Sequence, residues 1–121
     1  MLIDTHCHLD ASEFDADRDA VIQAAIEQGV QMMVIPAVEK NNFAQVIQLA
    51  EKYGQCAYAL GIHPIYVKNA QPEDIAILKA TLEKQMQSDS PPVAIGEIGL
   101  DYYWDKTFVV NQKMAFELQI D

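Results

Sequence analysis

MMVIPAVEKNNFAQVIQLAEKYGQCAYAL, Met32 to Leu60, changes its hydrophobic period twice. Met32-Met33-Val34-Ile35 is a continuous apolar run, Phe43, Val46, Ile47, Ala50 and Tyr53 then recur at helical spacing, and Cys56 to Leu60 is apolar again. An uninterrupted run suits a strand buried on both faces, whereas the i, i+3, i+4 recurrence lays one stripe along a helix. Asn41 or Asn42 offers an N-cap and Gly54 a C-terminal stop. The stretch therefore reads as strand, helix, strand, the unit from which parallel sheets are built.

The same alternation extends in both directions. Before it lie the apolar pair Leu2-Ile3 and a helix expected from about Ser12 to Gln28, ended by Gly29, with Val21, Ile22, Ala25 and Ile26 inward. After it come a helix opening at Pro72 with Ile75, Leu78, Leu82 and Met86 inward, and a short strand Val93-Ala94-Ile95. A fourth helix is expected from Thr107 as cap, containing Phe108, Ala115 and Phe116. The fold class is thus α/β, four parallel βα units of roughly thirty residues each. No linker or repeat divides the chain, so residues 1–121 are expected to form a single domain.

Composition narrows the setting. Half of the residues are apolar and spread along the chain, which argues for a packed core. No apolar run approaches membrane-spanning length and no signal-peptide pattern opens the chain, so the cytoplasm is the expected compartment, with no membrane partner. Cys7 and Cys56 are too few for a disulfide framework and are read as reduced thiols, Cys56 in the core. Eighteen acidic against eight basic residues give a net charge of −10, which removes long-range attraction to polyanions. Such a substrate would need local recruitment by metal ions and a few lysines.

In parallel α/β proteins the functional face lies at the carboxyl ends of the strands. His6 and His8 follow the first strand, Lys40 the second, GIHP (Gly61 to Pro64) the third and GEIGLDYYW (Gly96 to Trp104) the fourth. Residues at i and i+2 of an extended segment share a face, so His6 and His8 can aim two imidazoles at one point, as a divalent metal requires. Glu97, just past an apolar strand, is an expensive acid unless something cationic meets it; a lysine partner is the alternative. His63 can be a metal ligand, a phosphate contact or a polar strand end. Asp4 shares the face of His6 and His8 and can orient an imidazole, or simply supply polarity beneath it. Tyr66, Tyr102, Tyr103 and Trp104, with Lys40, Lys68 and Lys106, put rings and cations on one rim. Rings stack on bases while lysines meet phosphates, which suits a single-stranded or frayed nucleic-acid end; rings that cover the sheet end are the competing reading.

With IDTHCHLD (Ile3 to Asp10), GIHP and GEIGLDYYW in that order, the chain strongly resembles the TatD family of metal-dependent deoxyribonucleases, amidohydrolase-like TIM-barrel enzymes. The likeness runs from Met1 to the end, and Phe108, Gln112, Phe116 and Gln119 are similar to the family pattern in the following helix. It implies half of a TIM (β/α)8 barrel, four strands and four helices, ending inside the fourth helix. It implies His6, His8 and Glu97 as metal ligands, Glu97 also as a catalytic group, and His63 beside the substrate phosphate. Tyr102, Tyr103, Trp104, Lys68 and Lys106 are then expected to bind substrate, with Asp4 and Asp101 supporting the site from behind. The cofactors implied are two divalent ions, Mg, Mn or Zn, and the partner is DNA.

The family's remaining ligands, two histidines and an aspartate from later strands, have no counterpart here, where His6, His8 and His63 are the only histidines. The chain is therefore expected to be the amino-terminal half of such a barrel. Two other readings stay open: a related amidohydrolase acting on a small molecule, and a half-barrel without catalytic activity. Open edges at the first and last strands lead us to expect self-association.

Overall fold

Four strands, β1 (Leu2–Asp4), β2 (Val30–Pro36), β3 (Cys56–Leu60) and β4 (Ala94–Ile95), lie side by side in that order and all parallel in the computed structural model, which describes residues 1–121. Helices α1 (Arg18–Glu27), α2 (Phe43–Lys52) and α3 (Pro72–Gln85) connect them, and α4 (Val109–Ile120) follows β4. The pairing runs across the sheet, Asp4 with Met33, Met33 with Cys56, Ile35 with Tyr58 and Leu60 with Ile95, with one register shift between Leu2 and Ile3 of β1. Parallel strands with alternating helices form half of a barrel, as expected.

The core sits where the hydrophobic periods coincide. Ile35, Tyr58 and Leu60 of the two central strands and Val46 of α2 have no solvent exposure, and Ile22 of α1 is almost as deep. In α2 Phe43, Val46, Ile47 and Ala50 of the stripe are buried, as their spacing requires, and Leu49 joins them; Tyr53, the last of the stripe, lies just past the helix end and is half-buried. Cys56 is a buried free thiol, raised in pKa by desolvation. No helix is long and apolar enough to cross a membrane.

Several expectations change. The helix expected from Ser12 is a short 3-10 turn, Ser12–Phe14, and α1 begins only at Arg18. Asp15 and Asp17 favour turn geometry here, and Arg18 ties the segment down by donating to Ala11 O (3.0 Å) and to Asp15 (2.6 Å). Met86 is exposed rather than inward, because α3 ends at Gln85 and it is Gln85 that is buried, 3.3 Å from the Tyr58 hydroxyl. Thr107 does not cap α4. Its N–H donates to Asp105 (2.8 Å) in the preceding turn, and Phe108 stands at the cap. Asn42 occupies the N-cap of α2, yet its amide reaches back to the N–H groups of Val38 and Glu39. Burial on both faces holds only in part: most of β3 and the end of β2 are buried, Met32, Val34 and Ala57 are half-buried, and Leu2, Ile3, Val93 and Ile95 stay largely exposed, because β1 and β4 are edges.

Candidate metal centre

The strand ends bring four distant residues to one place. His6 and His8 lie just beyond β1, where the N–H of Cys7 between them still donates to Val34 O (3.0 Å) and prolongs the ladder. That bond keeps the two side chains on the face opposite Cys7, and their Nε2 atoms stand 3.2 Å apart. Glu97 follows β4. Its N–H donates to Ala37 O (2.8 Å), while Gly96 N–H donates to Leu60 O (2.9 Å), so backbone bonds to β3 and to the end of β2 fix it. Glu97 Oε2 is 3.3 Å from His6 Nε2 and 3.6 Å from His8 Nε2, and Oε1 is 3.3 Å from His63 Nε2.

Gly61 makes this approach possible. A Cβ there would lie 2.6 Å from the Gly96 carbonyl carbon and 2.9 Å from Glu97 N, so only glycine lets the chain, as it leaves β3 and enters GIHP, pass the Gly96-Glu97 peptide. His63 is set by the turn it begins. Its N–H donates to Val38 O (2.8 Å), and its Nδ1 accepts the N–H of Ile65 (3.1 Å) at the start of the 3-10 helix Pro64–Asn69. A ring nitrogen that accepts carries no proton, so this bond assigns the His63 proton to Nε2, facing Glu97.

His6, His8 and Glu97 offer ligand atoms that all lie within 4.8 Å of one another. The edges of the triangle formed by the two Nε2 atoms and Oε2 are 3.2, 3.3 and 3.6 Å. Ligands at about 2.0–2.1 Å around a tetrahedral ion are separated by about 3.4 Å, so this N, N, O set fits a divalent cation. Cys7, between the two histidines, is a poor rival ligand: burial first and then Asp4 push its thiol up to about 11. The thiol donates instead to Val34 O.

The other sequence-predicted residues are placed as follows. The Asp4 carboxylate accepts the backbone N–H of His6 (3.1 Å), so it fixes the chain at His6 and orients no imidazole. Asp101 accepts from Tyr103 N (2.9 Å) and Trp104 N (3.3 Å) and shapes the aromatic loop rather than backing a ligand. Tyr103 and Trp104 are exposed and meet edge to face at 4.9 Å, so they do not cover the sheet end; Tyr102 is exposed as well. Lys68 and Trp104 line one cavity of about 250 Å³ with Pro64, Phe108 and Gln112. Lys106 is exposed in the same loop. Lys40 is engaged elsewhere, 2.7 Å from Asp74, and is not a free cation on the rim.

One residue escaped the sequence reading. Asp10, two positions after His8, is buried, and its Oδ1 has no hydrogen-bond partner although it lies 4.0 Å from His8 Nδ1. The signal was in the sequence: an acid continuing the alternation of His6 and His8. Gln112 and Gln119 of α4 are also structural keys. Gln119 pairs with both Ile62 N (2.7 Å) and Ile62 O (3.3 Å), and Gln112 with Asp101 N (2.8 Å) and O (2.9 Å). Each glutamine amide thus imitates a strand neighbour and docks α4 beside the motif loops.

Comparison with known proteins agrees with the geometry. The family model described as TatD related DNase matches residues 3–121. The Escherichia coli K12 protein YjjV, named as an uncharacterized metal-dependent hydrolase, is 37% identical over 118 residues, which span 98% of this chain and 44% of YjjV. YabD of Bacillus subtilis, named likewise, is 35% identical over 120 residues, spanning 99% of this chain and 45% of YabD. Human deoxyribonuclease TATDN3 is 36% identical over 107 residues, 84% of this chain and 38% of that protein. The crystal structure of YjjV, a TatD homolog, superposes with a TM-score of 0.89 over 98% of this chain and 45% of its own. The chain thus spans less than half the length of these relatives, and over that span it belongs to the TatD related DNase family of metal-dependent hydrolases.

Proposed function

We propose that this chain supplies the His6, His8 and Glu97 share of a two-cation site that hydrolyses DNA phosphodiester bonds. The observation that carries the reading is the convergence of two imidazole nitrogens and one carboxylate oxygen within coordination distance of a common point, with the second carboxylate oxygen turned the other way. His6 and His8 would hold one ion, and Glu97, with oxygens facing different groups, both. Divalent cations held there supply Lewis acidity, polarising phosphoryl oxygens and making a water nucleophilic at neutral pH.

The chain's own residues do the remainder. Glu97 presents two acceptor oxygens and fixed negative charge. His63, held by Ile65 N–H with its proton on Nε2, is a donor and not a ligand, which favours the phosphate-contact role among those the sequence left open. Exposed Tyr103 and Trp104 offer stacking surfaces for unpaired bases, and Lys68 and Lys106 offer charge for phosphates, which supports a single strand or a frayed end as substrate. A protein of net charge −10 handles such a substrate because the positive potential is local. The name of human TATDN3 supports DNA as the polymer.

The test is Glu97→Gln in the protein as expressed, assayed on end-labelled single-stranded and duplex oligonucleotides with Mg, Mn or Zn, with a cyclic amide as comparison. Metal-dependent cleavage of oligonucleotides that is abolished by E97Q is the expected result. Retained cleavage, or turnover of the amide alone, would overturn the assignment.

A further inference from the structure

Asp10 is the polar group that the site as described leaves unexplained. It is 8% exposed. One carboxylate oxygen, Oδ2, accepts from Asn42 Nδ2 at 2.6 Å, and the other, Oδ1, is buried without a partner. Its one potential ion partner is the His8 ring, at 4.0 Å; Arg18 and Gln45 reach the Asp10 backbone carbonyl rather than the carboxylate. An unpaired buried carboxylate oxygen is costly and therefore marks a missing interaction.

From this geometry we infer that Asp10 is a positioning residue for His8: Oδ1 accepts the Nδ1 proton of His8, which fixes the tautomer whose bare Nε2 faces Glu97 and a cation. The inference rests on the metal-site reading above and deepens it. His8 Nε2 leans toward His6 Nε2 at 3.2 Å, and a ring shift of about 1 Å brings Nδ1 within reach of Oδ1. A carboxylate behind a ligand imidazole fixes its orientation and raises its basicity. Asn42 holds the carboxylate in place, since its own Oδ1 accepts from Val38 N (3.1 Å) and Glu39 N (3.2 Å), which leaves its amide nitrogen for Asp10.

That arrangement makes Asp10→Asn an informative isosteric change. Asn42 can only donate to position 10, so the new carbonyl must turn to Asn42 and the new amide nitrogen to His8. Facing a donor, His8 Nδ1 becomes the acceptor and its proton moves to Nε2, where it opposes metal binding. The exchange D10N with N42D reverses this, because a carboxylate at position 42 accepts the new amide and returns a carbonyl oxygen to His8.

Two measurements decide it. Long-range 15N–1H spectra of the chain in EDTA, with the three histidines assigned by single substitution, should show His8 protonated at Nδ1 in the wild type and at Nε2 in D10N. Calorimetric titration with Mn2+ alone should show about 10- to 100-fold weaker binding in D10N and recovery in the exchange variant. His8 protonated at Nε2 in the wild type, or a measurable Mn2+ affinity that is equal in wild type and D10N, would overturn the inference. A wild type that binds no Mn2+ but shows the tautomer switch would instead refute the metal-site reading while upholding the role of Asp10. Should D10N fail to fold, the wild-type spectrum alone still decides.

Discussion

Gly61→Ala is the perturbation with the clearest steric magnitude. The added methyl carbon would stand 2.6 Å from the Gly96 carbonyl carbon and 2.9 Å from Glu97 N. Carbon contacts are relaxed at about 3.5–4.0 Å, so roughly 1 Å of separation must be created. Residue 61 cannot retreat, because Leu60 and Ile62 on either side are fully buried and Gln119 grips both backbone groups of Ile62. The Gly96-Glu97 segment, at the end of a two-residue edge strand, is what yields. Glu97 then leaves its positions 3.3 Å from His6 and His63. Overpacking of this kind costs about 1–3 kcal/mol of stability, and a misplacement of about 1 Å in an active site costs on the order of a hundredfold in function. Urea unfolding and Mn2+ calorimetry should therefore show both losses. Gly96→Ala serves as the contrast, since a Cβ there meets only Ala59 Cβ at 3.8 Å, an ordinary contact. A folded G61A protein that binds Mn2+ as the wild type does would refute the reasoning.

Three further outcomes are expected. Lys40 depresses the Asp74 pKa by a direct hydrogen bond, helped by Gln71 N–H; a lowered native pKa gives stability that is complete above the unfolded value of about 3.9 and lost as pH falls through the native one. Lys40→Met should cost about 1–2 kcal/mol at pH 7, discounted because Lys40 is partly exposed, and the gap should close in acid unfolding curves; a pH-independent gap would contradict the pairing. Gln119→Leu strands Ile62 N–H in a buried position and should lower unfolding free energy by about 1–3 kcal/mol, whereas an unchanged denaturation midpoint would show that water replaces the amide. Exposed Leu2, Ile3, Val93 and Ile95 along two open edges should make the 121-residue chain self-associate, so a concentration-independent monomer in sedimentation velocity would count against that exposure argument.

The α/β architecture was legible because β2, α2 and β3 announce themselves by period: continuous apolar runs around an i, i+3, i+4 stripe that is buried from Phe43 to Ala50. Element ends were less legible, since they depend on side chains that the pattern ignores. Arg18 pins the turn that delays α1, Gln85 replaces Met86 at the end of α3, and Asp105 engages Thr107 before α4. The two edge strands misled for a different reason. Leu2 and Ile95 are apolar enough for a core, but whether they are buried depends on what lies beside the sheet, which local sequence does not specify.

The candidate site was readable in part. His6 and His8 declare a shared face by their spacing, and Glu97 declares itself by following an apolar strand, but only the fold brings residue 97 to residues 6 and 63. Asp4 is expected as a support because it shares the face of His6 and His8, and Asp101 through the resemblance; in the structure each carboxylate accepts backbone N–H groups, a common use of aspartate in tight chain segments. Asp10 continues the i, i+2 spacing of His6 and His8, but spacing alone does not set it apart from the surface acids that follow; its burial and its unpartnered oxygen appear only in the fold, where Asn42 holds the other carboxylate oxygen.

Crystals of the chain soaked in MnCl2 and measured at the manganese absorption edge address the central claim most directly. The expected result is an anomalous peak within about 2.3 Å of His6 Nε2, His8 Nε2 and a Glu97 oxygen, absent in a Glu97→Gln crystal. Peaks only elsewhere on the acidic surface, or an unchanged peak in E97Q, would contradict it.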